Sequence, residues 1–374
     1  MKYLFDIGHP AHVHYFRNAI KILQNNGHDI KITARDKEVA LNLLTEYQLK
    51  YVSTGPNHSS LLGKFISLIR NDFIIYKEAS KFNPDLLVSF HLPFTAHIGK
   101  LLNIPVIGFD DTENAKLNNL LSVPFTDFII TPDCYTGKFE KSKHLRFSGY
   151  FELAYLHPCY FRPDPRILRS LDLEQKEKYV IFRFVSWGAS HDFGHRGFSL
   201  KMKRKAVKEL SKYAKIFISS EGELPEDLKQ YQIKIPPEKM HDALAFAILF
   251  FGESATMASE SAVLGTPAIY LDDVGRGYTD EQEKKFGLVF NYTASVADQE
   301  KSIQKGIEIL KRPDLKNCWR KKSEKMIADK IDVTAFLVWF VENYPESAEV
   351  MKKNPRYQYQ FRTKLQSDML HCNN

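Results

Sequence analysis

The sequence predicts an α/β protein built from two doubly wound parallel sheets. Apolar strands alternate with helices through the first 150 residues, and the same alternation restarts near residue 179 after a proline-rich, charged segment. The strands are apolar on both faces, which is typical of parallel sheets covered by helices on both sides. A chain of 374 residues is long enough for about two domains, each with its own core.

The first half of the chain predicts one complete βαβ series. Phe16, Ile20 and Leu23 recur at helical spacing after the first strand, and Gly27 stands where that helix should stop. Strands are predicted at residues 3–7, 29–34, 85–89, 105–109 and 127–130.

The second half repeats this pattern without repeating the sequence. Strands are predicted at residues 179–182, 216–218, 248–251 and 268–271, and helices at 200–214, 238–246 and 255–264. We therefore expect a first domain at 1–156, a linker at 157–178 and a second domain at 179–331. A helix at 332–345 is expected to pack back across the lobes, and 346–374 to form a loosely held polar tail. The two lobes are expected to face a central cleft.

Composition and charge narrow the class of protein. The longest apolar run, at 243–251, is too short to cross a bilayer, and the first six residues include an acid and lack a signal-peptide core. Four scattered cysteines fit neither a disulfide framework nor a zinc site. We therefore expect a cytoplasmic protein.

The net charge of +7 is concentrated in two segments. Residues 201–215 hold seven basic and one acidic residue, and residues 311–330 hold eight and three. Solvated helix faces explain both segments, and attraction to phosphorylated partners or to the inner membrane surface is the alternative. Nucleic acid is not expected as a partner, because no nucleic-acid-binding motif accompanies the charge.

The clearest functional signal is a predicted anion site between residues 251 and 267. A buried strand runs into Gly252, Ser254 is a natural N-cap, and small residues including Ala255 follow. Unpaired amides at a helix start, together with the positive end of the helix dipole, bind phosphate. Thr256 adds a hydroxyl, and Glu260 lies one turn further along, where its carboxylate can accept ribose hydroxyls. An ordinary βαβ turn is the alternative.

This segment resembles the nucleotide-sugar site of GT-B glycosyltransferases and of the related UDP-N-acetylglucosamine 2-epimerases. The shared features are a strand, a small-residue turn, a helix with an internal glutamate, then Leu264-Gly265, one residue and Pro267. The segment 234–244 is also similar, and the resemblance implies that Ile235 and Met240 border the base. Glu253 is a departure, because an acidic side chain beside phosphates is unfavourable unless it points away or contacts a sugar hydroxyl.

Three histidines follow the first predicted strand, at His9, His12 and His14. The turn is similar to a Gly-His turn of GT-B transferases, in which the histidine serves as base, and His12 is the best match, with His9 as a second candidate. A histidine with a pKa near neutrality can take a proton from an acceptor hydroxyl. Zinc binding by the three histidines is one alternative, and a capping or packing role is the other.

Two further turns carry candidate residues. Asp110 and Asp111 follow a strand and are predicted to contact the acceptor or to orient His12, with helix capping as the alternative. In the second half, Arg183 is a candidate ligand of the pyrophosphate, with a plain surface arginine as the alternative. The remaining donor-site candidates end other strands: Ser219 as a cleft residue and Asp272 as a ligand of sugar hydroxyls.

Taken together, these motifs resemble a family once called DUF354, over nearly the whole chain up to about residue 345. The resemblance implies a metal-independent glycosyltransferase that uses a nucleoside-diphosphate sugar, most simply a UDP-sugar, and a glycan or lipid-linked acceptor in surface polysaccharide or glycoconjugate synthesis. It implies no cofactor and no metal. A non-hydrolysing UDP-sugar 2-epimerase is the first alternative, although the Gly-Thr-Arg-Pro-Glu opening of those enzymes is absent. A non-catalytic carbohydrate-binding protein is the second.

Overall fold

A computed structural model describes residues 1–56, 61–90, 92–174, 176–185 and 198–363, except for the side chains of 61–66 and 68. The chain divides into two compact units. Unit 1 comprises Met1–Tyr160 and Lys330–Asn374, and unit 2 comprises Phe161–Asp329. Each unit contains its own parallel sheet.

Unit 1 is built on a seven-stranded parallel sheet with strand order β3-β2-β1-β4-β5-β6-β7. Its strands are β1 Lys2–Ile7, β2 Asp29–Asp36, β3 Val52–Pro56, β4 Leu86–Ser89, β5 Val106–Phe109, β6 Phe128–Pro132 and β7 His144–Phe147. From β1 the strands are added first toward one edge of the sheet, as β2 and β3, and then toward the other edge, beginning with β4, so the strand order changes direction between β1 and β4. Ligands of open α/β sheets bind outside the carboxyl ends of the strands at such a switch point.

The helices of unit 1 are amphipathic, and their apolar faces pack on this sheet. In α1, for example, Val13, Phe16 and Ile20 are buried. They are α1 Pro10–Asn25, α2 Ala40–Glu46, α3 Leu61–Phe82, α4 Pro93–Leu102, α5 Lys116–Ser122, the 3-10 helix η1 Val123–Phe125 and α6 Leu153–Leu156.

Unit 2 is built on a five-stranded parallel sheet with strand order β12-β11-β10-β8-β9, whose switch point lies between β8 and β10. Its strands are β8 Tyr179–Phe184, β9 Lys215–Ser220, β10 Leu249–Gly252, β11 Ala268–Leu271 and β12 Val289–Tyr292. Gly252 ends β10 so close to Arg183 of β8 that any side chain there would collide with the Arg183 backbone.

The helices of unit 2 lie before, between and after its strands in the chain. They are α7 Ile167–Ser170, α8 Leu200–Leu210, α9 Glu226–Lys229, the 3-10 helix η2 Pro237–Lys239, α10 Met240–Phe246, α11 Ala255–Val263, α12 Gly277–Lys284, α13 Val296–Leu310 and α14 Leu315–Asp329. The segment predicted as a linker, 157–178, therefore contains a short helix, in which Ile167 and Leu168 are buried.

The C-terminal region differs from the loosely held tail that the sequence predicts. The chain returns to unit 1 through α15 Val333–Glu342, which packs against α1, and continues into α16 Glu346–Lys353 and the 3-10 helix η3 Pro355–Phe361. Met351 and Gln358 are buried, and the Gln358 side chain accepts a hydrogen bond from the Ser148 amide at 2.6 Å. These buried groups bind the polar segment to the sheet, while 364–374 lie outside the described residues.

Among the residues that the structure describes, none of the helices combines the length and apolarity that a bilayer crossing requires.

Candidate functional site

The N-terminus of α11 lies at the carboxyl end of β10, beside the switch point of unit 2. Ser254 is its N-cap, with extended backbone angles of φ −98° and ψ 112°, and its Oγ accepts a hydrogen bond from the Met257 amide at 3.3 Å. Ser254, Thr256 and Met257 are partly exposed, whereas Ala255 and the remainder of the helix are buried. The first turn of α11 therefore presents polar groups at the end of an otherwise buried helix.

Glu260 lies in the buried part of α11. Its Oε1 is 2.9 Å from Nε2 of His241 on α10, and both side chains are almost fully buried. The sequence placed Glu260 beside Thr256 as a ribose ligand but did not predict this partner. The structure adds a hydrogen bond that orients the carboxylate from a second helix, and contact with a ribose remains a prediction.

Glu253 immediately precedes the N-cap, and its side chain is fully buried. The carboxylate accepts hydrogen bonds from the Val185 amide at 3.0 Å and the Phe198 amide at 2.7 Å, and Oε2 is 2.9 Å from Nζ of Lys203. Glu253 thus anchors the ends of two segments, after β8 and before α8. Its negative charge is paired with a lysine, which removes the electrostatic objection raised by an acid next to a phosphate site.

Arg183 lies on β8 and is already ion-paired. Its guanidinium donates to Oγ of Ser219 at 2.8 Å and to Oε1 of Glu221 at 2.8 Å. The structure therefore brings Arg183 and Ser219 together, as neighbours on β8 and β9. It also shows an ion pair between Arg183 and Glu221, which the sequence did not indicate.

The other donor-site candidates lie on two further segments of unit 2, and Asp272 follows β11, which runs parallel to β10. Asp272 accepts hydrogen bonds from the Tyr270 hydroxyl at 2.7 Å and from the Val274 amide at 3.2 Å, so its carboxylate stabilises the turn after β11. Ile235 and Met240 are half-buried in the segment that leads into α10. Their contact with a base remains a prediction.

In unit 1, the predicted histidines lie at the switch point between β1 and β4. His9 is the N-cap of α1, and its Nδ1 accepts a hydrogen bond from the Ala11 amide at 3.2 Å. His12 is buried, and its Nδ1 accepts from the Gly8 amide at 3.3 Å. Burial, together with the positive charges of His9, Lys37 and Arg35, holds the pKa of His12 well below its ordinary value of 6.5.

These contacts define the protonation of His12. An amide N–H can only donate, so Nδ1 is the unprotonated nitrogen and the proton of the neutral ring is on Nε2. His12 is therefore a hydrogen-bond donor through Nε2 at neutral pH. This geometry does not favour the general-base role that the sequence suggested, because the nitrogen that accepts protons is already engaged by Gly8.

The side chain of His14 packs against Tyr155 and Arg17, away from the rings of His9 and His12, so the three histidines do not form one cluster. Its ring stacks on Tyr155 at a centroid distance of 5.1 Å, and its Nδ1 is 3.3 Å from the Arg17 guanidinium. An arginine beside a ring nitrogen is a poor neighbour for a cation. His14 has the packing role that was one of the alternatives.

Asp110 and Asp111 are buried after β5. Asp110 accepts hydrogen bonds from the Thr112 amide and the Tyr135 hydroxyl, and Asp111 accepts from the Thr112 hydroxyl at 3.0 Å. Among the described residues, no hydrogen bond joins either carboxylate to His12. Tyr15 is the intermediary, since its hydroxyl is 3.5 Å from Oδ2 of Asp111 and its ring centroid is 6.2 Å from that of His12.

The two parallel-sheet units define a GT-B fold. The chain belongs to the family described as "Protein of unknown function (DUF354)", whose model matches residues 1–274. Over 274 residues it is 26% identical to an uncharacterized protein of Methanocaldococcus jannaschii, a match that covers 71% of this chain and 80% of that protein.

Solved structures share the fold at low sequence identity. The UDP-GlcNAc 2-epimerase of Methanocaldococcus jannaschii, in complex with UDP-GlcNAc and UDP, has a TM-score of 0.61 and 16% identity, covering 87% of this chain and 98% of that one. The spinosyn rhamnosyltransferase SpnG, complexed with spinosyn aglycone, has a TM-score of 0.56 and 13% identity, covering 92% and 100%. Both an epimerase and a glycosyltransferase are therefore among the proteins with this fold.

Proposed function

We propose that this protein is a glycosyltransferase that moves a sugar from a nucleoside-diphosphate sugar, most simply a UDP-sugar, to a glycan or lipid-linked acceptor. The observation that carries the proposal is the N-terminus of α11 at the switch point of unit 2, where Ser254 and Thr256 are partly exposed. Helix amides and hydroxyls at such a position stabilise the charge of a departing diphosphate without a metal. The fold shared with a rhamnosyltransferase and with an epimerase that binds UDP-GlcNAc supports the same assignment.

The proposed chemistry assigns complementary roles to two side chains of unit 1. As the acceptor oxygen bonds to the anomeric carbon, the bond from that carbon to the diphosphate breaks, and the acceptor proton passes to a base. Asp111 is the proposed base, because its carboxylate oxygens accept hydrogen bonds from Thr112 and Tyr15 and so face hydroxyl groups. His12 is proposed to orient the acceptor hydroxyl by donating from Nε2, in agreement with its protonation.

The 2-epimerase reading is retained as the second candidate, because the Methanocaldococcus jannaschii epimerase has this fold. An epimerase changes a UDP-sugar with no acceptor present, whereas a transferase requires one. Incubation with UDP-GlcNAc and other nucleotide sugars, with and without glycan acceptors, followed by NMR, separates the two reactions.

Calorimetric titration with UDP, GDP and dTDP tests the nucleotide site directly. Binding of one of them, weakened by Ser254→Ala, is the expected result. Absence of binding by all three at millimolar concentration would overturn the proposal.

Substitution of His12 by glutamine tests the proposed division of roles. Glutamine has an N–H group near the position of Nε2 but cannot act as a base, so His12→Gln should keep measurable turnover. His12→Ala should lose most of it, and loss of turnover in His12→Gln as well would restore the general-base role.

A further inference from the structure

One face of unit 1 exposes large apolar side chains. On α3, Phe73 is 66% exposed, and Ile69 and Tyr76 beside it are also exposed. These positions lie one turn apart on the same side of the helix, and Ile75 and Ala79 are buried on the other side. The helix therefore carries an outward apolar stripe that the core of unit 1 does not use.

Helix α5, which like α3 packs against α4, also exposes large apolar side chains. Leu117 and Leu120 are 67% and 71% exposed, and they are three residues apart on the helix. A monomer rarely leaves several large apolar side chains exposed near one another unless they contact a partner or a membrane.

His97 of α4 connects the two sets of side chains. Its Nδ1 is 3.5 Å from Asp72 of α3, its Nε2 is 3.1 Å from the Leu121 carbonyl oxygen of α5, and its ring contacts that of the exposed Phe125. The apolar groups therefore flank a single helix. We call this surface the α3–α5 face, and it comprises Ile69, Phe73, Tyr76, Leu117, Leu120 and Phe125.

The charges on these helices are predominantly positive. Their only acidic residues are Asp72, which is paired with His97, and Glu78, which is 3.0 Å from Lys31. The basic residues of α3, α4 and α5 are Lys64, Arg70, Lys77, Lys81, Lys100 and Lys116.

We propose that the α3–α5 face docks on a membrane surface that contains anionic lipids. Apolar side chains entering the headgroup region gain burial, and lysines beside them approach lipid phosphates. A second copy of the chain is a poorer occupant, because in a symmetric dimer the same helices meet each other and their excess positive charges repel. The proposal does not depend on nucleotide binding by unit 2, and it would bring a lipid-linked acceptor to the protein.

Sedimentation of the full-length protein with phosphatidylcholine vesicles, with and without phosphatidylglycerol, tests the proposal. We expect binding to the phosphatidylglycerol vesicles that weakens as salt rises. Phe73→Ser and Leu120→Ser should each lower the partition coefficient by about tenfold, because each removes a large apolar side chain from the docking surface.

Val296→Ser is the matched control, since Val296 is 72% exposed but lies on α13 of unit 2. It should bind vesicles like the wild type. Circular dichroism and UDP titration should be unchanged in all three variants, which separates failure of this proposal from failure of the nucleotide site.

Three results would overturn the inference. The first is the absence of binding to phosphatidylglycerol vesicles, and the second is equal binding by the wild type and both α3–α5 variants. The third is a wild-type dimer, without vesicles, that becomes monomeric in Phe73→Ser, which would identify the face as a protein interface.

Discussion

Nε2 of His241 lies 2.9 Å from Oε1 of Glu260, and this contact joins α10 to α11 inside unit 2. The pair connects the segment predicted to read the base with the helix predicted to bind phosphates. Because both side chains are buried, the position of the carboxylate depends on the histidine.

His241→Ala should therefore destabilise unit 2 and weaken UDP binding. Removing one donor from a buried carboxylate costs about 1–3 kcal/mol, which denaturant unfolding can measure. His241→Gln retains an N–H donor and should recover part of both losses. Unchanged unfolding and an unchanged UDP dissociation constant in His241→Ala would refute the positioning role.

Ser254→Ala should lower both helix stability and nucleotide affinity, because Ser254 caps α11 and lies at its exposed end. Loss of a serine N-cap typically costs about 1 kcal/mol. Ser295 is a matched control in the same unit, since its Oγ caps α13 by accepting from the Asp298 amide. Ser295→Ala should have a similar effect on unfolding and none on UDP titration. Equal effects of both variants on UDP binding would argue against a site at α11.

Lys203→Met should destabilise the protein by about 3–5 kcal/mol, because it leaves the buried carboxylate of Glu253 without its cation. The double variant Lys203→Met/Glu253→Gln should recover much of this loss. Lys205 lies on the same helix and pairs with Glu300 at the surface, so Lys205→Met should cost less than about 1 kcal/mol. Thermal and denaturant unfolding of these variants provide the measurement, and similar losses at Lys203 and Lys205 would contradict the prediction.

Lys316 should make stability depend on pH. Burial lowers the pKa of Lys316 from 10.5 to about 7 in the folded protein, where its Nζ donates to the Ala245 carbonyl oxygen at 2.8 Å. Between pH 7 and 10.5 the unfolded chain binds more protons than the folded one, so this contribution to stability grows as pH rises. This contribution of Lys316 to stability is fully present above the pKa that Lys316 has in the unfolded chain, and it is lost as the pH falls through the pKa of Lys316 in the folded protein.

Unfolding of wild type and Lys316→Met, compared across that pH range, isolates this group from all others. The stability of the wild type relative to the variant should increase with pH, by at most about 1.4 kcal/mol per pH unit. A constant difference would mean that Lys316 stays charged in the folded protein.

Local patterns predicted both parallel sheets, nine of the twelve strands that the structure describes and the N-cap at Ser254, but missed β3, β7 and β12. Alternating strands and helices, apolar runs such as 248–251, and a serine before small residues are all signals that depend on near neighbours in the chain. The same kind of signal placed His9, His12, Asp110 and Asp111 at strand ends of unit 1.

Long-range partners could not be predicted in this way. His241 and Glu260 are 19 residues apart, and Tyr15 and Asp111 are 96 apart. The polarity of 346–361 suggested a loose tail, but Gln358 is buried because its amide group satisfies backbone groups of the sheet. Contacts between residues this far apart in the chain cannot be inferred from the local pattern of a single sequence.

By itself, the sequence determined the fold class, nine of the twelve strands that the structure describes, and the start of a helix at Ser254, since these follow from backbone preferences and the spacing of apolar residues. Tertiary structure alone decided that Glu253 is neutralised by Lys203, that Arg183 is paired with Glu221, and that His12 carries its proton on Nε2. The physical reason is that charge and protonation depend on burial and on the nearest polar atoms, and folding brings those atoms from distant parts of the chain.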